Sequence, residues 1–548
     1  MRFPLASAAA TFLFAMTAAV SPGWGQNALD RVAPNSSGRE AEAAEAARPK
    51  APVRVEVDAP SGTAEGASAI LVGAVTLQGL KVLTPADFAD LLASRVGRTL
   101  TAAELSALAT AIADRARAKG FPFASAWIGA QQLRSGVLTV SVDEGAIHEI
   151  RFEGPAEPAV RDALTPLVSG RPVRLDETER RLLIAGDVDG VRIRSSRFFR
   201  EGGRGILLVR ATRVRVVARI ALSNEGTRPL GPEQLRIDVD LNGVLAADDA
   251  VTLTWSGTPA QPKELQFARV RYAKRVSRSG TEIALTASGS IARPGAYLAP
   301  LDLESRSWFV GASLLQPLVR RRSASLWAEG EIGLRDLVQW RDGDRARHDR
   351  IAAARLTLYG YAEIAGGRMR VSTTLSQGLG GTRLHDPLAS RYDADASFTS
   401  LSAWMDWTRE LGGDFSLRLA AQSQFASQPL LIAEETGLGG TGFLRGYDWS
   451  ERTGDRGTMG SAELRYGWNK PFNLIRRAQL YGFVDGGEVT NLDHGFGGGA
   501  LASAGGGVRA DITSRFGANV ELAAPLSGPR YDTGEESAKF SFRLVRSF

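Results

Sequence analysis

The spacing of apolar side chains divides this chain into two textures that meet near residue 217. In the first, strand and helix periods alternate. Residues 70–75 (ILVGAV) read as a strand, and Thr84-Pro85 opens a helix with Phe88, Leu91 and Leu92 on one side. Thr101 followed by Glu104 is a capping box. Behind it Leu105, Leu108, Ile112 and Ala116 keep helical spacing until Gly120 stops the helix. Strands are predicted at 123–128 and 137–142, and Asp143-Glu144-Gly145 ends the unit. The order β-α-α-β-β then recurs. It comprises a strand over 147–152, helices over 158–168 and 176–183, and a hairpin over 191–199 and 205–212. A repeat of about 75 residues fits two copies of one small domain, at 69–146 and 147–217, better than a solenoid.

From residue 218 helical periodicity fades. Segments of about ten residues alternate in polarity between Gly, Asp, Pro and Arg clusters, the dyad pattern of membrane β-strands. Examples are 265–276, 281–291, 307–315, 417–426, 460–468, 478–489 and 515–526. The last, 538–548, puts Phe540, Phe542, Leu544 and Phe548 on one face, interrupted by Arg546. Eight of the ten Trp follow residue 250, as interfacial girdles require. At about 20 residues per strand and connection, 218–548 holds about 16 strands, an even number that closes without an edge. A soluble array of β-sandwiches is the alternative.

Composition narrows the compartment. Arg2 is the only charge before residue 30, an apolar run covers 5–20, and small residues lead to Gln26. This is the layout of a secretory signal peptide over 1–25, too short for the roughly 18 apolar residues of a membrane helix. No later stretch reaches that length without charges. Residues 26–68 are polar and Ala/Pro-rich and read as a linker, in which 39–48 could form a short helix with little apolar face. The absence of Cys excludes disulfides, thiolate metal sites and a cysteine nucleophile. A net charge of +6 over 548 residues does not by itself point to nucleic acid.

Catalytic and cofactor motifs find no support. Residues 437–442 match G-x-G-x-x-G, but no helical period comes after them, so a glycine-rich loop is the better reading. There is no Gly-Lys dipeptide for a phosphate loop, no G-x-S-x-G, and the four His lie far apart. Acid pairs such as Asp248-Asp249 and Glu434-Glu435 read as solvated loop carboxylates. The stretch from Arg192 to Arg219 carries nine Arg and one acid. Arg192, Arg194, Arg213 and Arg215 are therefore a candidate partner-binding face on a hairpin, against the plainer reading of a solvated surface.

One constellation stands out. Leu444-Arg445-Gly446-Tyr447 lies in a glycine-rich loop, and Phe483-Val484-Asp485-Gly486-Gly487 comes later on a strand-like run. Arginine suits bidentate, buried pairing with a carboxylate, and glycine lets backbone approach the pair. An arginine locked to a wall carboxylate is a gate or an anchor.

The string from 430 through FLRGY to 457 resembles the loop of two-partner secretion transporters, the TpsB or ShlB/FhaC/HecB hemolysin secretion/activation proteins. Phe483, Asp485 and Gly487 are similar to the barrel-wall motif that accompanies that loop. Ser223 to Thr227, Ser376 to Leu379 and terminal Phe548 also match, with Glu225 a departure at the start of the barrel. The resemblance covers about 69–548. It implies two tandem α/β POTRA (polypeptide-transport-associated) domains, then a transmembrane antiparallel β-barrel of about 16 strands in the outer membrane. It also implies capture of an unfolded TpsA-type exoprotein in the periplasm and its export without nucleotide, cofactor or metal. Arg445 would pair with Asp485, and Tyr447 would pack beside them. A monomeric pore in outer-membrane lipid, with no nucleic-acid partner and no enzymatic activity, is expected. An outer-membrane assembly factor of the same superfamily and a passive solute porin are the alternatives. Assembly factors usually carry three to five POTRA units, and porins lack both the units and the loop.

Overall fold

The computed structural model describes residues 55–57 and 69–548, apart from 130, 132–135 and 155; the side chains of 55–57 and 472 are also outside it. The expected signal peptide and the possible short helix over 39–48, the candidate for the plug found in some members of the resembled family, lie outside the described residues.

The first α/β unit contains β2 (Ile70–Val72), β3 (Ala74–Gln78), α1 (Ala89–Ala93), β4 (Arg98–Leu100), α2 (Ala102–Ala118), β5 (Ser125–Trp127) and β6 (Val137–Asp143). The capping box at α2 forms as spaced. The Thr101 amide donates to Glu104 at 2.8 Å, and the Glu104 amide donates to the Thr101 hydroxyl at 3.3 Å. Leu105, Leu108, Ile112 and Ala116 then bury one stripe of α2 against Leu138 and Val140 of β6. Glu144, a residue without an assigned role in the sequence, is buried and accepts the amides of Val82 and Leu83, closing this unit.

The second unit repeats the order with β7 (Glu149–Glu153), α3 (Pro158–Leu164), α4 (Leu175–Gly186), β8 (Val191–Glu201) and β9 (Arg204–Arg213). Its sheet has one unforeseen member. β1 (Val55–Val57), in the segment read as a linker, pairs in parallel with β8. The alternating Val-x-Val backbone completes the edge that β8 would otherwise leave unpaired.

Sixteen antiparallel strands then close a barrel: β10 (Val216–Ser223), β11 (Gln234–Asn242), β12 (Asp249–Gly257), β13 (Leu265–Arg275), β14 (Glu282–Ala292), β15 (Leu303–Arg320), β16 (Ala324–Arg341), β17 (Asp344–Ile364), β18 (Gly367–Gly381), β19 (Thr399–Gly412), β20 (Phe415–Ala426), β23 (Arg456–Asn469), β24 (Arg477–Thr490), β25 (Gly499–Asp511), β26 (Phe516–Pro525) and β27 (Lys539–Ser547). A separate pair, β21 (Thr436–Leu438) with β22 (Arg452–Gly454), lies inside the loop between β20 and β23. β27 pairs with β10, so no edge is left in lipid. Side chains alternate between lipid and lumen along each strand. Leu285, Val310, Ile332 and Leu522 are exposed on the outer face, whereas Glu463 and Asp485 are buried within. The tryptophans divide between the two sides. Trp255, Trp308 and Trp468 are exposed, but Trp327 turns inward and stacks on Tyr359 with ring centres 5.4 Å apart, and Trp404 packs against the lumen cluster around Leu444.

α4 of the second unit docks on the turns at the near end of the barrel. Asp187, just past its C-terminus, takes both arms of Arg320 on β15 at 2.7 Å, and both side chains are almost fully buried. Arg320 also lies over Trp327 at 4.8 Å. Arg180 and Arg181 donate to the carbonyls of Leu318 and Arg278, and Arg322 pairs with Glu179 at 2.7 Å. Removing one partner of a buried pair strands the other charge. Asp187→Ala is therefore expected to cost the docked arrangement about 3–5 kcal/mol. Limited proteolysis should release the α/β units faster while the barrel stays folded; unchanged cleavage would refute the clasp.

Candidate functional site: a loop arginine in the barrel wall

The loop over 427–455 leaves β20 at the end of the barrel away from the α/β units and folds back into the lumen. At its tip Leu444 adopts φ 58°, a left-handed backbone that costs a leucine about 1–2 kcal/mol. The contacts of the next residue hold that strain in place. The Arg445 guanidinium donates from Nε and Nη2 to the two carboxylate oxygens of Asp485 at 2.9 and 3.0 Å. Nη1 reaches Glu463 at 2.8 Å and Glu521 at 3.3 Å, and Nη2 also reaches the Ser461 hydroxyl at 3.2 Å. The Arg445 amide adds a bond to Asp485 at 3.2 Å. The Phe483 ring lies 3.3 Å below the guanidinium carbon.

Strand geometry explains why these groups converge. Residues two apart on a strand share a face, so Tyr481, Phe483, Asp485 and Gly487 of β24 all look into the lumen. Ser461 and Ser503 stand opposite Asp485 on the neighbouring strands, and Glu463 stands opposite Phe483. Gly446 is required by contact. A Cβ there would meet the backbone of Ala524 and Pro525 at 2.8 Å. Gly487 likewise lies where a Cβ would meet Met459 at 2.8 Å. Tyr447 is fully buried. Its hydroxyl accepts the Ser527 amide at 2.9 Å and donates to the Gly528 carbonyl at 3.2 Å. Leu444 packs with Leu438, Tyr447, Met459, Val489 and Leu501.

Several residues of this site carried no role in the sequence reading. Glu463 is fully buried and also pairs with Arg465 and Arg509, both at 2.6 Å. Asp448 pairs with Lys539 of the terminal strand at 2.6 Å. At the base of the loop the acid pair read as solvated is buried instead. Glu434 meets Arg355 of β17 at 2.6 Å, and Glu435 meets Arg391 at 3.0 Å. Arg391 also holds Asp455 at 2.8 Å and Asp393 at 3.0 Å. Burial alone would raise the Asp393 carboxyl, but the Arg391 fork outweighs it and holds it below the usual carboxylate range. The apolar run Leu430-Leu431-Ile432-Ala433 ahead of this pair was the available signal: four such residues in a loop imply that the loop is packed. Asp249, from another acid pair, is also buried and accepts three turn amides.

The basic hairpin forms, but its four arginines do not share one face. Arg192 stands opposite Thr212 and Arg213 opposite buried Val191, so these two point to opposite sides of the sheet, because a bulge between Ile193 and Ser195 shifts the register by one residue. Arg213 is committed to Glu157 at 2.9 Å and to the carbonyls of Asn242 and Ala247 at the barrel junction. Arg194 donates to the Thr212 hydroxyl at 3.2 Å, and Arg215 is exposed.

The family model described as haemolysin secretion/activation protein ShlB/FhaC/HecB matches residues 202–510, and the ShlB-type POTRA domain model matches 70–145. The chain is 21% identical over 396 residues to the heme/hemopexin transporter protein HuxB of Haemophilus influenzae, covering 69% of each. It is 28% identical over 185 residues to the outer membrane transporter CdiB of Escherichia coli, covering 33% of this chain and 30% of that one. The structure of CdiB from Escherichia coli superposes with a TM-score of 0.70 at 18% identity, covering 96% of this chain and all of the other. BamA from Haemophilus ducreyi, lacking its POTRA domains 1–3, gives 0.53 at 13% identity, covering 88% of this chain and all of the other. With more than half of its length matched by the family model, and with a POTRA unit ahead of a closed sixteen-stranded barrel, the chain belongs to the ShlB/FhaC/HecB family of haemolysin secretion/activation proteins, outer-membrane transporters of two-partner secretion.

Proposed function

We propose that the loop over 427–455 is the gate of the export pore, that Arg445 on Asp485 is its latch, and that the two α/β units hand an extended partner protein to the lumen. The observation that carries this reading is the kind of contact that holds the loop. Its tip sits in the lumen on ion pairs and one small apolar cluster, so it closes the path without being part of the barrel fold. Such contacts exchange between protein, water and a passing chain at lower cost than a continuous core. In the α/β units, strands β5 and β7 end their sheets among the described residues. An unpaired strand edge takes main-chain hydrogen bonds from any extended polypeptide, the recognition a secreted partner of arbitrary sequence requires.

The chain acts as a single-chain pore in outer-membrane lipid, and the partner is one large exoprotein. Transport is driven without nucleotide, cofactor, metal or nucleic acid, and no covalent chemistry is performed. The test is to delete the gene and compare the culture medium with that of the parent strain. One large protein should vanish from the medium while outer-membrane proteins keep their levels. A broad fall in outer-membrane proteins would instead favour an assembly factor, and an unchanged medium with altered uptake of small solutes would favour a porin.

A further inference from the structure

The pocket around Arg445 is built to a higher specification than closing a loop requires. A guanidinium carries five N–H donors in one plane. Here all five find acceptors: two oxygens of Asp485, one each of Glu463 and Glu521, and the Ser461 hydroxyl. The sixth contact is the Phe483 ring against the flat face of the cation. An ammonium group has three donors and no plane, so lysine would leave acceptors unfilled. Every wall group of the pocket lies on β23, β24 or β26, and only the cation comes from the loop. Without the loop the wall is short of charge. Glu463 keeps Arg465 and Arg509, but Asp485 and Glu521 have no other cation in ion-pair reach among the described residues.

We propose that this wall pocket is a guanidinium receptor, and that an arginine side chain of the exported polypeptide takes the seat when Arg445 leaves it. The inference rests on the export reading and adds the chemistry of recognition. Asp485 lies within β24, away from either rim, so a chain in the lumen passes the pocket. An incoming arginine replaces the stranded pairing, which removes the main penalty for opening. Loop release is then coupled to occupancy of the pore by an arginine-bearing segment, and an empty pore stays latched.

The test uses the full chain carrying Arg445→Ala, purified in detergent, with guanidinium chloride and tetramethylammonium chloride at equal ionic strength. Arg445→Gln serves as the second variant should alanine fail to insert. Guanidinium at tens of millimolar should raise the thermal midpoint of the variant, and tetramethylammonium should not. The parent chain should show no such preference, and Arg445→Ala/Asp485→Ala should lose it. A labelled extended peptide with one arginine should bind the Arg445→Ala chain about tenfold more tightly than the same peptide with citrulline or lysine. Equal binding of the three peptides, or equal action of the two salts, overturns the receptor. Lost export by Asp485→Ala without a guanidinium preference keeps the gate and overturns the receptor; normal export by both Arg445→Ala and Asp485→Ala removes the gate and, with it, the coupling of loop release to an exported arginine, whatever the salts show.

Discussion

Replacing Arg445 by alanine is expected to abolish export while the barrel still inserts. The arginine ties the loop to carboxylates on β23, β24 and β26, and its removal leaves Asp485 and Glu521 facing each other's charge without a cation in ion-pair reach among the described residues. Stranding buried carboxylates in this way costs about 3–5 kcal/mol. The left-handed backbone at Leu444 would then lose the anchor that holds it. Asp485→Ala is expected to be milder, because Arg445 keeps Glu463 at 2.8 Å and Glu521 at 3.3 Å. The order of defects should therefore be Arg445→Ala, then Asp485→Ala, then Asp485→Asn, which retains one acceptor oxygen. Partner protein in the medium and folded barrel in the outer membrane are the two readouts. Normal export by both alanine variants would remove the gate.

Deleting 69–213 should have an effect of similar size for a different reason. The barrel closes on its own hydrogen bonds between β10 and β27, so it has no need of the α/β units for its edges. What it loses is the clasp. Arg320 gives up Asp187, but it then lies at an open periplasmic turn where water can solvate it. The truncated chain should insert and conduct ions while exporting no partner. Unchanged partner levels in the medium would show that capture does not depend on these units. A chain that no longer inserts would show that the clasp supports the barrel itself.

Much of this architecture is legible in the chain because it depends on local pattern. The capping box at Thr101, the stripe Leu105-Leu108-Ile112, and the alternation of strands after residue 217 are short-range consequences of helix and strand geometry. The strand count comes from the length of the region, since barrel strands and their connections vary little around a mean. The pairing of Arg445 with Asp485 is implied by resemblance alone, and the geometry gives it distances. The readings that differ depend on distant partners. Glu434 and Glu435 look solvated in the chain because Arg355 and Arg391 are 79 and 44 residues away. The arginines of the β8–β9 hairpin look like one face because a bulge in the register cannot be seen in an alternating string. Val55–Val57 looks like linker because a three-residue strand exists only where another sheet offers an edge.

By itself, then, the sequence determined the elements, their order and the chemical character of the latch, because periodicity, caps and the choice of arginine are properties of neighbouring residues. Only the tertiary structure decided which carboxylates the arginine meets, that the loop is tied at both its tip and its base, and that Asp187 clasps the second unit to the barrel. Those facts arise where strands far apart in the chain are brought side by side. There the cost of burying a charge selects its partner by distance in space, which the linear chain does not record.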